Sequence, residues 1–152
     1  MDEKEFKATY AGYNDRPCVF AKALLSRCAG CSRAQKLNIA EREAMACKSA
    51  EAHQICQELL PLLRAKALFA LKLTHIEGAL PHGKEIKVQC GGLLGLRTAQ
   101  EPSAEGPVTD VYSLISAAVA DFGGLHALPY GEIVKAVVGY EPRKRRRQPG
   151  TA

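Results

Sequence analysis

Apolar residues recur every three or four positions along much of this chain, which is the spacing of one face of an α-helix. The clearest stripe follows Ser49, a residue type that caps helix starts well. The spacing predicts a helix from Ser49 that Pro61 kinks or divides, because proline lacks an amide hydrogen and its ring clashes with the preceding turn. The apolar members of this stripe are Ala52, Ile55, Cys56, Leu59, Leu60 and Leu63.

Four further segments have helical patterns. Pro17 fits a first helical turn, where its missing N–H would be unpaired in any case. Gly123 stands just past the last periodic residue of its segment, as expected of a helix stop. The predicted helices run from Asp15 to about Cys28, from Leu37 to Cys47, from Thr109 or Asp110 to Phe122, and from Pro129 to about Val138.

One segment has a different period. Ile86, Val88 and Cys90 alternate with polar residues, which predicts a short strand that ends at Gly91-Gly92. The stretch 100–107 is rich in proline and glycine and is predicted to be a loop. The chain is therefore predicted to be mainly α: a single small helical domain over residues 1–142 with at most one short strand element. The cysteine-bearing part of that domain covers residues 15–98.

The composition narrows the class of protein. Hydrophobic residues make up 47% and charged residues 24% of the 152 residues, values typical of a globular domain. The first seven residues are highly charged and contain no apolar run, so a signal peptide is not predicted. The longest apolar stretch contains Arg64, Lys66 and Lys72, which are too costly in lipid, so no membrane insertion is expected. The predicted location is cytoplasmic.

The positive charge is concentrated at the C-terminus. The formal net charge is +5, and the run Arg143, Lys144, Arg145, Arg146 and Arg147 accounts for all of it, because the other basic residues are balanced by the 16 acidic residues. Residues 143–152 are predicted to be a disordered basic tail, either a solubilising end or a site that binds polyanions through the run 143–147. No aromatic residues are interleaved with these cations, so binding to nucleic acid or to an acidic partner is expected to be weak and sensitive to salt.

Cysteines are the residues that point to chemistry. In a reducing compartment, clustered cysteines more often bind metal than form disulfides. Cys28 and Cys31 are separated by two residues, which lets both sulfurs reach one ion or one cluster edge. Cys18, in the predicted first turn of a helix, is placed to favour the thiolate. The predicted metal ligands are therefore Cys18, Cys28, Cys31 and Cys47.

The fourth ligand is the least determined. Cys90 competes for it, because the adjoining Gly91-Gly92 lets the backbone approach a site closely. Cys56 lies in the apolar stripe that follows Ser49 and is assigned to the core, since a buried free cysteine behaves as a small hydrophobe.

An iron–sulfur cluster is the predicted cofactor. The chain has no second C-x2-C pair and no His-x3-His pair, both of which are frequent in zinc sites. Isolated cysteines on separate elements suit the all-thiolate ligand set of a cluster, here of the 4Fe–4S type. Zinc is the alternative cofactor, and a metal-free protein with structural cysteines is a further alternative. Thiol redox chemistry of the thioredoxin kind is disfavoured, since no βαβ pattern flanks Cys28.

These ligands predict a small iron–sulfur protein for electron transfer, redox sensing or cluster handling, with a redox partner protein. The alternative is a zinc-stabilised interaction module that holds nucleic acid or an acidic partner through its basic tail. No set of residues specifies a substrate, so the sequence leaves open whether the protein is an enzyme, and it leaves the oligomeric state open as well.

Overall fold

The computed structural model describes residues 14–39, 41–71 and 80–142. These residues form a mainly helical fold with a two-stranded antiparallel sheet, which confirms the predicted fold class. In chain order the elements are α1 (Ala21–Leu25), β1 (Ala34–Ile39), β2 (Arg42–Cys47), α2 (Ala50–Ala67), α3 (His82–Ile86), a π-helix (Lys87–Gly91), α4 (Gly92–Gln100), α5 (Val111–Phe122), a 3-10 turn (Leu125–Ala127) and α6 (Tyr130–Gly139).

Three helix boundaries that local signals predicted are confirmed: the start of α2, the end of α5 and the start of α6. The hydroxyl of Ser49 accepts a hydrogen bond from the backbone N–H of Ala52 at 3.2 Å and so caps α2. Pro61 lies inside α2 without dividing it. Gly123 follows α5 with a φ of 93°, a left-handed conformation that glycine adopts at little cost. Helix α6 begins directly after Pro129.

The helix predicted from Asp15 begins later than expected, at the start of α1. The residues before it run along the outer edge of β2. Pro17 forms an antiparallel bridge with Ala46, and the N–H of Cys18 donates to the carbonyl of Met45 at 3.0 Å. Proline is tolerated at such an edge because it needs no partner for an amide hydrogen.

The helix predicted over Leu37–Cys47 is wrong, because this segment lies in a β-hairpin. Strands β1 and β2 pair antiparallel, with Ala34 opposite Cys47. Glu41, in the connecting turn, has a φ of 69°. The alanines and glutamates of this segment favour a helix locally, but strand formation depends on cross-strand and face neighbours that local propensity does not contain.

The strand predicted over 86–90 is also wrong. Helix α3, the π-helix and α4 follow one another without a break. Gln89, a polar member of the alternating pattern, is buried. Its Oε1 accepts from the N–H of Ala23 at 3.0 Å, and its Nε2 donates to Glu85 at 2.9 Å. The alternation of apolar and polar residues therefore does not separate buried from exposed positions here.

Glycines let this helical segment pack closely against α6. A Cβ atom at Gly91 would lie 2.6 Å from the Cα of Val137, and one at Gly95 would lie 2.8 Å from the Cβ of Ala136. Protein interiors are too densely packed to absorb such overlaps without backbone movement. Gly91 thus serves helix packing and does not mark the end of a strand, which is the role that the sequence pattern predicted.

The core lies where these helices meet α2 and α5. Its largest fully buried side chains include Phe20, Leu59, Leu93, Leu96, Ile115 and Ile133. None of the helices within the described ranges combines the length and the apolar character that a membrane span needs.

Candidate metal centre

Four cysteines line one small cavity beside the hairpin. They are Cys18, Cys31, Cys47 and Cys56, all of them free thiols and all partly exposed. The cavity has a volume of about 20 Å³, and most of the rest of its lining is apolar, with His53 and Arg33 as the other ionisable residues. Three of the four predicted ligands are thus brought to one place, together with a cysteine that was assigned to the core.

Pairing along the edge of β2 places two of these cysteines side by side. The N–H of Cys18 is bound to Met45 at 3.0 Å, and the N–H of Cys47 donates to the carbonyl of Arg16 at 2.8 Å. The two cysteines therefore sit on neighbouring extended segments although 28 residues separate them in the chain. The thiol of Cys47 donates to the carbonyl of Ser49 at 3.2 Å.

Cys31 is carried by a loop that is bound to the segment before α5. The N–H of Gly30 donates to the carbonyl of Val108 at 2.8 Å, and the N–H of Val111 donates to the carbonyl of Gly30 at 2.9 Å. The carbonyl of Cys28 accepts from the N–H of Val108 at 3.0 Å. These bonds fix the backbone on both sides of Gly30 and so set the position of Cys31.

Cys56 enters the cavity from α2. His53, one helical turn earlier, lines the same cavity, and its Nε2 lies 2.9 Å from the carbonyl oxygen of Pro17. The sequence assigned Cys56 to the apolar stripe because its spacing fits that stripe. The one signal that pointed elsewhere was the spacing of three residues between His53 and Cys56, which puts both on one helix face.

The two remaining cysteines are joined to each other. Cys28, a predicted ligand, and Cys90, its competitor, form a disulfide with their Cα atoms 6.0 Å apart. Cys28 is 9% exposed and Cys90 is 0% exposed, so the bridge lies within the core. Neither residue lines the four-cysteine cavity. The C-x2-C pair is therefore divided: Cys31 faces the cavity, whereas Cys28 ties its loop to the π-helix.

Two of the thiols at the cavity have strongly raised pKa values. Burial raises the pKa of Cys18 to about 11 and that of Cys56 to about 12. The neighbouring Cys31 and Cys47 are smaller causes of the raised pKa values of both residues, so the four cysteines interact electrostatically. A cation bound among them would relieve this repulsion and would displace the protons.

A carboxylate is hydrogen-bonded to Ser32, the residue after Cys31. Asp110 accepts hydrogen bonds from the hydroxyls of Ser32 and Ser113 at 2.8 and 2.7 Å. Burial raises the pKa of Asp110, but these bonds and others from Ser32 and Cys31 outweigh it and lower the value to about 2. The sequence predicted Asp110 only as a possible helix cap, and a role beside a cysteine 79 positions earlier has no local signal.

The described part of the structure shows no formed metal site, and it does not include the predicted polyanion-binding residues. Within residues 14–39, 41–71 and 80–142, no three or more His, Cys, Asp or Glu side chains form a group that could hold a metal ion in the arrangement seen. The predicted polyanion-binding residues, Arg143 to Arg147, lie outside the described ranges.

Comparison with known proteins does not identify a family or a function for this chain. No protein-family model matches the chain, and neither the curated proteins nor the solved structures contain a significant match to it.

Proposed function

We propose that this chain binds an iron–sulfur cluster through Cys18, Cys31, Cys47 and Cys56. The observation that carries the proposal is the convergence of these four free thiols, from four separate segments, on one cavity. Clusters are held by four thiolates in this way, and the ligands need not come from one short motif. The proposed ligand set keeps Cys18, Cys31 and Cys47 from the sequence prediction and takes Cys56 in place of Cys28.

The chemistry of the donor set suits soft metals, iron–sulfur clusters among them. Thiolates are soft ligands that select iron–sulfur clusters, zinc and monovalent copper over hard cations. A cluster of the 4Fe–4S type offers one iron to each of four thiolates, which matches the four cysteines at the cavity. The apolar remainder of the lining would exclude water from the cluster, and solvent exposure is one of the factors that set its reduction potential.

The cavity must open to take a cluster. Its volume of about 20 Å³ is close to that of a single water-sized sphere. A tetrahedral site with metal–sulfur bonds of about 2.3 Å holds its sulfurs about 3.8 Å apart, whereas a cluster interposes several iron and sulfide ions between them. Loading therefore requires the four cysteine side chains to depart from the arrangement seen, and metal binding is expected to be coupled to local rearrangement.

Electron transfer, redox sensing or cluster handling is the proposed task, with a redox protein as partner. Cys18 and His53 also line an open groove of about 450 Å³ at the surface. A cluster bound at Cys18 would therefore lie directly beneath a surface that another protein can reach. We propose a cytoplasmic location as well, and recovery of the full chain outside the cytoplasm on cell fractionation would contradict it.

Two cysteine variants test the ligand set. The full chain is purified without oxygen and assayed for iron, acid-labile sulfide and broad visible absorption. We expect brown protein, loss of at least nine-tenths of the iron in Cys56→Ser, and a much smaller loss in Cys90→Ser, which breaks the disulfide but removes no proposed ligand. Circular dichroism of each variant checks that it has folded. Full iron occupancy in a folded Cys56→Ser protein would exclude the proposed set.

A zinc ion is the second candidate, because the present volume of the cavity suits one ion better than a cluster. In that case the protein would be a zinc-stabilised interaction module, with the run Arg143 to Arg147 holding nucleic acid or an acidic partner. Colourless protein with one zinc per chain would favour this function over the first. Deletion of residues 143–147 should then abolish salt-sensitive binding to polyanions and leave the zinc content unchanged. Colourless protein without metal would reject both candidates.

A further inference from the structure

A second cavity, of about 200 Å³, is lined by α1, α2, α3 and the π-helix. Its lining combines an apolar part with a polar part: Val19, Ala21 and Leu80 are apolar, and Lys22, Arg64, Glu85 and Gln89 are polar or charged. The cavity has room for several water-sized groups, but it is smaller than the sites of about 300–1,000 Å³ that take drug-sized ligands. No cysteine lines it, so what it binds does not depend on the proposed metal.

The guanidinium of Arg64 is held along one edge by Glu85. Its Nε donates to the two carboxylate oxygens at 3.2 and 3.1 Å, and its Nη2 donates to Oε1 at 2.6 Å. Its Nη1 makes no hydrogen bond or ion pair with any residue that the structure describes. A guanidinium presents five N–H donors in a rigid plane, so the edge formed by Nη1 and Nη2 can bind a second oxyanion.

Gln89 brings a buried donor to the same cavity. Its Oε1 accepts from the N–H of Ala23 at 3.0 Å, and its Nε2 donates one hydrogen to Glu85 at 2.9 Å. The second hydrogen of Nε2 has no partner in the described part of the chain, although Gln89 is only 3% exposed. Buried polar groups are nearly always hydrogen-bonded, so an acceptor inside the cavity would satisfy this donor.

The charge of the lining favours an anion with a single negative charge. Lys22 and Arg64 are cations, and Glu85 is the one carboxylate that lines the cavity. The half-buried Lys22 forms no hydrogen bond or ion pair among the described residues. One positive charge is therefore in excess, and a monoanion would balance it. A dianion would leave one negative charge uncompensated beside the buried Glu85 carboxylate, which is costly.

We propose that this cavity binds a short-chain aliphatic carboxylate. The carboxylate of the ligand pairs with the free edge of Arg64 and with the ammonium of Lys22, and its aliphatic body packs against Val19 and Leu80. Glu85 positions the guanidinium in advance, so little side-chain freedom is lost on binding. Val19 and Arg64 also line the open groove of about 450 Å³, which gives the ligand a route from the surface.

Calorimetric titration of the full chain with butyrate at constant ionic strength tests the proposal. We expect saturable binding with a Kd on the order of 1 mM. Lys22→Ala should weaken binding about fivefold or more, and Arg64→Lys about tenfold or more, because lysine cannot form the two parallel hydrogen bonds. Lys84→Ala is the matched control, since it removes a lysine of α3 that does not line the cavity, and its Kd should equal that of the wild type.

Lys22→Ala is the deciding variant, because Arg64→Lys also disturbs the pair with Glu85 and circular dichroism must first show that it has folded. Absence of saturable butyrate binding to the wild type, or an equal Kd in the wild type and Lys22→Ala, would overturn the proposal.

Other ligands test the chemical class, and nuclear magnetic resonance tests the location. 1-Butanol, which lacks the charge, and acetate, which lacks most of the aliphatic body, should both bind more weakly than butyrate. Tighter binding of inorganic phosphate than of butyrate would overturn the assignment of a carboxylate. The backbone amide signals of Lys22 and Gln89 should shift on titration with the Kd that calorimetry gives. If these signals stay in place while butyrate binds, the ligand lies elsewhere and the proposal fails.

Discussion

The imidazole Nε2 of His53 lies 2.9 Å from the carbonyl oxygen of Pro17. A carbonyl only accepts hydrogen bonds, so Nε2 must carry a proton and donate. The bond joins α2, which carries Cys56, to the extended segment that carries Cys18 directly after Pro17. It is a cross-link between two of the four cysteine-bearing segments that does not involve sulfur.

Replacement of His53 by alanine should weaken both the fold and the metal site. The carbonyl of Pro17 would lose this partner, and because the bond is exposed to solvent, its loss costs about 0.5–1.5 kcal/mol. We expect a lower free energy of unfolding in urea and faster loss of iron to a chelator. The control is His126→Ala, which removes an exposed histidine from the 3-10 turn. Equal values for the two variants would show that the His53 bond contributes nothing.

A buried ion pair joins α2 to α3. The guanidinium of Arg64 donates to both carboxylate oxygens of Glu85, with the shortest distance 2.6 Å. The side chain of Glu85 is 4% exposed, whereas that of Arg64 is 34% exposed. Burial raises the pKa of Glu85, but the hydrogen bonds from Arg64 and Gln89 outweigh it, so the pKa lies below its ordinary value.

Because the pKa of Glu85 is lowered in the folded state, Glu85 stabilises the fold more at neutral pH than at acidic pH. Glu85 is ionised in the folded state at a lower pH than in the unfolded chain, where its pKa is about 4.3. Its contribution to stability is therefore fully present above about pH 4.3 and is lost as the pH falls through the folded-state pKa. We expect Glu85→Gln to lower the free energy of unfolding by about 1–3 kcal/mol at neutral pH. The difference from the wild type should shrink below about pH 4.

Denaturant unfolding at a series of pH values measures this difference. Glu132→Gln is the control, because Glu132 pairs with Lys135 on the surface of α6 and both side chains are more than two-thirds exposed, at 69% and 75%. Such a pair contributes at most about 1 kcal/mol. A difference between wild type and Glu85→Gln that grows on acidification would contradict the assigned direction of the pKa shift.

How well a structural feature could be predicted from the sequence depends on how far apart along the chain the contacting residues lie. Ser49 and Gly123 mark helix ends through bonds and backbone angles within a few residues, and both were predicted. The pairing of Ala34 with Cys47 joins residues 13 apart, and the Cys28 to Cys90 bridge joins residues 62 apart. Local patterns do not specify such contacts, so the hairpin and the disulfide were missed.

At the candidate site, too, local signals predicted some of the cysteines, and contacts between distant segments decided the rest. Cysteine count and the short C-x2-C spacing indicated thiol chemistry in the first third of the chain, and Cys18, Cys31 and Cys47 do line one cavity. Cys56 was assigned to the core because a cysteine on an apolar helix face has the same pattern whether it packs or binds. The position of α2 beside the hairpin, which local sequence does not give, brings Cys56 to the cavity that the other three cysteines line.

The contact of Gly91 with α6 provides a last prediction. In an ordinary helix, alanine is about 1 kcal/mol more favourable than glycine. At Gly91 the added Cβ would meet the backbone of Val137 at 2.6 Å, so the helices must move apart. Overpacking of this kind typically costs about 1–3 kcal/mol, and it outweighs the gain in helix propensity. We therefore expect Gly91→Ala to lower the free energy of unfolding.

The matched control is Gly131→Ala, near the start of α6, where an added Cβ meets no atom within 4 Å. This variant should be neutral or more stable by up to about 1 kcal/mol, because only the propensity term acts. Chemical denaturation of both variants gives the comparison. If Gly91→Ala proves as stable as Gly131→Ala, the helices do not approach as closely as the structure has them. The disulfide between Cys28 and Cys90 would then join the Cys31 loop to a π-helix that is packed less tightly against α6.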